Sequence, residues 1–200
     1  AVHHDPIVPA YGYRFDYRGR SVVFSGDTAK SESLMRHARG ADVLIHEAML
    51  KTTVAEMEDS AARHGRTSFA KILHDIPDYH ASPRDAAETA AGAGVAHLIL
   101  SHVIPPLPHW LGRRVFLRDT GVGNVDVRLG YDGMLITLPA GSKDAVFEDL
   151  GRSKHEGFRK RSTVAYGNPP GAVQRWLAER GYREVAAVKN DEVHAPVETL

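Results

Sequence analysis

Asp27, His46, His80 and His102 are the residues whose types and settings point to chemistry. Asp27 follows the apolar run Val22-Val23-Phe24-Ser25 and Gly26. His46 ends the run Asp42-Val43-Leu44-Ile45, and His102 ends His97-Leu98-Ile99-Leu100-Ser101. His80 stands just ahead of the helix start Ser82-Pro83-Arg84-Asp85. A carboxylate at the tip of a buried strand is costly unless a cation or several hydrogen bonds compensate. Imidazoles with a carboxylate and no thiol form a donor set suited to Zn²⁺ or a similar divalent ion. Histidine also moves protons near neutral pH, and 12 in 200 residues is a high count. Each residue alone has a plainer reading: Gly26-Asp27-Thr28 as a capped turn, and each histidine as hydrogen-bonded structure. Their shared kind of position gives the combination its weight. His37, His64, His74, His97, His109, His155 and His194 are expected to have no direct chemical role.

The elements that must position these residues follow from pattern. Alternation over residues 11–17 and 20–25, with Gly19 between, predicts a β-hairpin. Ser31 caps a helix that Gly40 stops, and 42–48 is a short apolar strand. Residues 50–76 carry apolar residues at loose helical spacing and predict one or two surface helices broken near Gly65. A flap over the site is the alternative use of this segment. Ser82, Pro83 and Asp85 give an N-cap, a proline at the first position and an acid at the third. Gly92 or Gly94 ends that helix, and 96–102 is another buried strand. Residues 103–124 predict mainly loop, with a short helical turn at Trp110 and Leu111. Residues 126–137 predict a hairpin turning at Asp132-Gly133. Apolar strands separated by helices make an α/β layered fold. Groups at the carboxyl ends of such strands converge, so residues distant in sequence meet there.

Composition narrows the classes. The net charge is +0, so no global pull toward nucleic acid or an anionic membrane is evident. No cysteine is present, which excludes disulfides and thiolate sites and fits a reducing compartment. No apolar run approaches the roughly 20 residues of a membrane span. A cytoplasmic protein is expected. Residues 152–161 are basic and read as a solvated tail, and 170–188 as one helix and one strand.

The chain resembles the C-terminal half of a metallo-β-lactamase-fold hydrolase, nearest to the ribonuclease Z and arylsulfatase-like branch. "HDPIVPAYGYRF" (4–15) resembles the segment with that family's third metal-binding histidine, best matched by His4. "FSGDT" resembles the bridging-aspartate motif at Asp27, and "ADVLIHEAM" the His-Glu-Ala-Thr motif at His46 and Glu47. "YHASPRDAAETAAGAGVAHLILSH" resembles the run with a substrate-side histidine, His80, and the last metal histidine, His102. The family's His-x-His-x-Asp-His signature does not occur in these residues. Met49, Ala81-Ser82 and Val103-Ile104-Pro105-Pro106 stand where ribonuclease Z proper carries Thr, Ser-Thr and Ser-Arg-Tyr. These departures count against transfer-RNA processing as the specific activity.

The resemblance implies an α/β fold: half of an αββα sandwich over residues 1–140, with an α/β appendage over 141–200. It implies two divalent ions, zinc with manganese or iron as alternatives, held in part by His4, Asp27 and His102. Asp27 bridges them, and bound water with its pKa lowered toward ~7 is the nucleophile. His80 contacts the non-bridging oxygen or protonates the leaving group, while His46 and Glu47 orient the ligands by hydrogen bonds. For His46, a satisfied buried histidine is an equal reading. Tyr11, Tyr13 and Arg14 are expected to support their strand rather than touch substrate. The implied substrate is a phosphodiester or sulfate ester of a small molecule or nucleotide. A nucleic acid is compatible but not favoured. Lactone, thioester or lactam hydrolysis on the same scaffold is an alternative, and so is a non-catalytic half-domain that needs a partner. A halved sheet exposes an edge and an apolar face, so the chain is expected to form homodimers or aggregate.

Overall fold

In the computed structural model, residues 1–107 and 110–150 are described. The expected basic tail, the helix and strand within 170–188, and His109, His155 and His194 lie outside the described residues. The described residues fall in the first of two units, Ala1–His155.

The hairpin forms where alternation places it. Strands β1 (Tyr13–Tyr17) and β2 (Arg20–Phe24) pair antiparallel, with Tyr17 opposite Arg20. The two-residue turn between them has positive φ at both positions, Arg18 (50°) and Gly19 (75°), which matches the twist of the strands. From β2 onward the chain alternates helix and strand. Helix α1 (Glu32–His37) is capped by the Ser31 side chain, which accepts from Leu34 N–H. Strand β3 (Val43–Met49) follows. Helices α2 (Lys51–Arg63) and α3 (Thr67–Asp75) come next, separated where Gly65 takes φ 69°. Helix α4 (Pro83–Ala93) begins with a complete capping box between Ser82 and Asp85 and ends at Gly94, φ 67°. Strand β4 (His97–Ile104), helix α5 (Trp110–Phe116) and strand β5 (Asp126–Leu129) complete the alternation.

One sheet of order β1-β2-β3-β4-β5 results, parallel from β2 to β5. Period-two side-chain alternation gives it two faces. Val23, Leu44, Leu98 and Leu100 point to one face and are buried with Leu34 of α1 and Ala86, Ala87 and Ala90 of α4. The alanines of α4 let the helix lie close to the strands. A smaller cluster, Met49, Val54, Ala61 and Leu73, joins α2 and α3 to the end of β3. On the opposite face Tyr13, Phe15, Tyr17 and Phe24 remain exposed.

Three expectations need correction. Residues 126–137 do not form a hairpin: β5 pairs parallel with β4, and β6 (Met134–Thr137) pairs antiparallel with β7 (Val146–Asp149). The bare edge of apolar β4 takes up β5, so the Asp132-Gly133 turn redirects the chain instead of folding it back. β7, past residue 140, thereby joins a strand before it. Next, β3 and β4 run past His46 and His102, so neither histidine ends its strand. Their register shifts between Glu47 and Ala48: Glu47 pairs with Ser101 and Ala48 with Val103. His102 is the extra residue of this bulge and has φ 43°. Finally, Trp110–Phe116 is a full helix of 7 residues, anchored by buried Phe116, rather than one turn in a loop.

Candidate active site

The tip of β2 fixes the geometry. Gly26 has φ 62°, and a Cβ there would collide with the Tyr11 carbonyl oxygen. Only glycine lets residues 1–11 cross so closely over the strand end. Thr28, fully buried, ties that segment down: its Oγ1 accepts from His3 N–H (3.1 Å) and lies 3.0 Å from the His3 carbonyl. Ala29 N–H donates to the same carbonyl (2.8 Å). His4 is thereby buried beside β2, with Nδ1 3.4 Å from the Ile7 carbonyl oxygen.

Glu47 is the centre of the arrangement. Its side chain is 2% exposed, and its Oε1 accepts from Thr28 N–H (3.2 Å) and Ala81 N–H (2.9 Å) and lies 3.1 Å from His80 Nδ1. One carboxylate oxygen thus pins the β2 tip, the lead into α4 and an imidazole. Its Oε2 is buried without a hydrogen-bond partner, and so is His4 Nε2. Leaving such a group unpaired costs roughly 1–3 kcal/mol, more for a charge. At the bulge, His102 Nδ1 lies 3.0 Å from Asp27 Oδ1, and both side chains are about half exposed. The rings form a chain, with His4 to His80 centroids at 5.2 Å and His80 to His102 at 5.8 Å.

The structure therefore gathers His4, Asp27, Glu47, His80 and His102 at one end of the sheet. Among the described residues, the trio whose donor atoms lie within 4.8 Å of one another is Glu47, His80 and His102. It shares only His102 with the implied ligand set of His4, Asp27 and His102. His46 stands apart. It projects among the buried residues of the helix-covered face, fully buried, with Nδ1 2.7 Å from the Glu47 carbonyl oxygen. Burial pushes its pKa below the ordinary histidine value, so the neutral ring is favoured. Its Nε2 is also buried without a partner. Arg14 braces β1 against α1 by donating to the His37 (2.7 Å) and Arg39 (3.0 Å) carbonyls. Tyr13, by contrast, lines a cavity of about 420 Å³ together with Phe15, Phe24, Ile45, Asp27 and His102.

Sequence reasoning missed two contributors. Tyr79 packs edge-on against His4 (4.8 Å) and lies 5.3 Å from the His80 ring. Its only signal was adjacency to His80. Thr28 was read merely as part of a turn, and nothing in its spacing announces that its N–H meets Glu47. The donors themselves fit a divalent cation. Imidazole nitrogens and carboxylate oxygens converge, and two of them, Glu47 Oε2 and His4 Nε2, are buried with nothing else to bind. His4, Asp27 and His102 alone are too few for two ions, each of which needs about four donors.

Comparison with known proteins agrees with this architecture. Residues 1–103 match the family model described as the beta-lactamase superfamily domain. The ribonuclease Z of Mycobacterium avium is 40% identical over 104 residues, covering 52% of this chain and 33% of that protein. The ribonuclease Z of Mycobacterium tuberculosis is 36% identical over 104 residues, 52% of this chain and 34% of that protein. The chain thus spans about a third of the length of the curated relatives it matches. Human tRNase Z, short form, superposes with a TM-score of 0.41 at 24% identity, covering 66% of this chain and 39% of that one. The chain belongs to the beta-lactamase superfamily, as a ribonuclease Z-like protein of metallo-β-lactamase fold.

Proposed function

We infer that this chain forms part of a metal-dependent phosphodiester hydrolase. The observation that carries the reading is the meeting of two carboxylate–imidazole pairs, Glu47 with His80 and Asp27 with His102, at one end of the sheet. The name ribonuclease Z borne by the relatives supports RNA as the polymer attacked, ahead of a sulfate ester or a lactone. A nucleic acid thus moves from a disfavoured substrate to the favoured one. In this reading His4, Asp27 and His102 contribute ligands, and further ligands come from polypeptide beyond these 200 residues. When bound, the divalent ions supply Lewis-acid activation of water and of the phosphoryl oxygen.

The chain's own residues do the rest. Glu47 Oε1, fixed by two backbone N–H groups, accepts from His80 Nδ1–H and so selects the ring's tautomer. Nε2 of His80 then faces outward to hold or deliver a proton at the departing oxygen. Asp27 orients His102 in the same manner. Tyr79 and His4 wall the His80 ring, which limits its rotation and excludes water from one side.

A second reading, a half-domain without catalysis, is favoured by the open sheet face with exposed Tyr13, Phe15, Tyr17 and Phe24. Turnover of bis(p-nitrophenyl) phosphate in the presence of Zn²⁺ or Mn²⁺ separates the two. The hydrolase reading expects His80→Ala and Asp27→Ala to lose on the order of 10²-fold or more. Equal rates for the wild type and both variants would leave only the half-domain.

A further inference from the structure

We propose that Glu47, His80 and His102 together hold a single divalent cation in this chain, with Asp27 serving as the hydrogen-bond partner of His102 instead of a ligand. The inference rests on the reading of this end of the sheet as a metal centre, but it assigns a different ligand set from the one the resemblance implies.

The donor atoms of these residues lie within 4.8 Å of one another, a spacing a metal ion can span. The second argument is Glu47 itself. Its Oε1 already faces Thr28 N–H, Ala81 N–H and His80, whereas Oε2 is buried with no partner. A half-satisfied buried carboxylate is stabilised by a cation on its free oxygen. The third argument is the state of the rings. His80 turns Nδ1 to Glu47 (3.1 Å), and His102 turns Nδ1 to Asp27 (3.0 Å), which leaves Nε2 of each ring uncommitted. Ligating histidines are held in this manner, with the far nitrogen hydrogen-bonded to a carboxylate that sets tautomer and orientation. The bulge completes the arrangement: as its extra residue, with φ 43°, His102 leaves the strand's regular course and comes within reach of Asp27. Two imidazoles and one carboxylate suit Zn²⁺ or Co²⁺ better than Mg²⁺ or Ca²⁺, with water filling the remaining position.

The test titrates the chain with Co²⁺, followed by visible absorption, and with Zn²⁺, followed by calorimetry. One ion per chain is expected. Glu47→Gln and His80→Gln are expected to lower affinity by 100-fold or more and to change the Co²⁺ spectrum. Asp27→Asn keeps an acceptor for His102, so the spectrum should persist with affinity lowered about tenfold. Far-ultraviolet circular dichroism checks each fold. Where Glu47→Gln does not fold, Asp27→Asn decides, because its side chain is half exposed. Loss of the Co²⁺ spectrum in Asp27→Asn, with Glu47→Gln unaffected, would overturn this ligand set and leave the hydrolase reading standing. Failure of the wild-type chain to bind either ion would also overturn it, whereas the hydrolase reading falls only on phosphodiester turnover.

Discussion

The two faces of one sheet differ more than any two segments of this chain. On the helix-covered face Val23, Leu44, Leu98 and Leu100 are at most 1% exposed, packed against α1 and α4. On the other, Tyr13 and Phe15 are each 58% exposed and Phe24 is 40% exposed. The same strands supply both sets, one residue apart. Each strand therefore carries a nearly continuous apolar run, the signature of a sheet meant to be covered on both sides. The open face is not bare throughout. At the amino ends of the parallel strands, Phe147 of β7 stacks on His97 (5.3 Å) and under Arg128 (3.9 Å). The cavity beside Asp27 and His102 lies at the carboxyl ends, where that ribbon does not reach. Stability thus resides on one face and at one end, and the candidate chemistry lies at the other end, next to exposed aromatic surface.

Arg20 offers the sharpest way to break this division. Its guanidinium, 7% exposed, pairs with Asp42 (2.9 Å) and donates through Nη1 to the Pro139 (2.9 Å) and Asp144 (3.0 Å) carbonyls. It joins β2, the lead into β3 and the loop between β6 and β7. Arg20→Ala is expected to cost about 3–5 kcal/mol in urea unfolding, since it strands a partly buried carboxylate and frees the ribbon. pH supplies a companion signal. Burial pushes the Asp42 carboxyl up, but the Arg20 guanidinium and Ser21 N–H outweigh it and hold the carboxyl below 3.8. A pKa lower in the folded state than in the unfolded one gives stability that is full above about 3.8 and lost as pH falls through the folded value. Acid titration should show this loss in the wild type and a smaller one in Arg20→Ala.

Leu98→Ala probes the covered face directly. Leu98 is fully buried in the main cluster, and its truncation is expected to cost about 2–5 kcal/mol. A smaller loss would mean that α4 can settle into the space. Chemical denaturation with an unchanged m-value is the measurement.

The capped start of α4 connects that face to the site. Ser82 accepts from Asp85 N–H (3.1 Å), and Asp85 accepts in return from Ser82 N–H (2.9 Å). Ser82→Ala is expected to cost about 1 kcal/mol of stability. Because Ala81 N–H and His80 both meet Glu47, it should also lower phosphodiester turnover more than stability alone explains. A turnover loss no larger than the fraction unfolded would separate the cap from the chemistry.

Much of this was legible in the residues, for identifiable reasons. The Ser82-Pro83-Asp85 start and the Gly94 stop are local devices, so they read directly from sequence. The buried strands followed from their apolar runs. The pairing of β5 was not legible, because Asp132-Gly133 is a good turn in either topology and the choice depends on the free edge of β4. His102 as a bulged residue was equally hidden, since a register shift belongs to two strands and not to one. At the site, Asp27 and the histidines stood out by type and position. The Glu47 carboxylate as a hub did not: its partners Thr28, His80 and Ala81 lie 19, 33 and 34 positions away, and two of these contacts are made by backbone N–H groups.

The smallest effect is expected on the open face. Tyr13 is 58% exposed and sits opposite Phe24 on β2, beside the cavity. Its truncation removes little buried surface, so Tyr13→Ala should change the stability of the isolated chain by about 0.5 kcal/mol or less. The same substitution at Leu98 is expected to cost several times more, although both residues are apolar and both lie on strands of one sheet. Unfolding at low and high protein concentration makes the comparison strict. A loss above about 2 kcal/mol for Tyr13→Ala, growing with concentration, would show that another copy covers this face in solution, because only burial gives an aromatic side chain such a contribution.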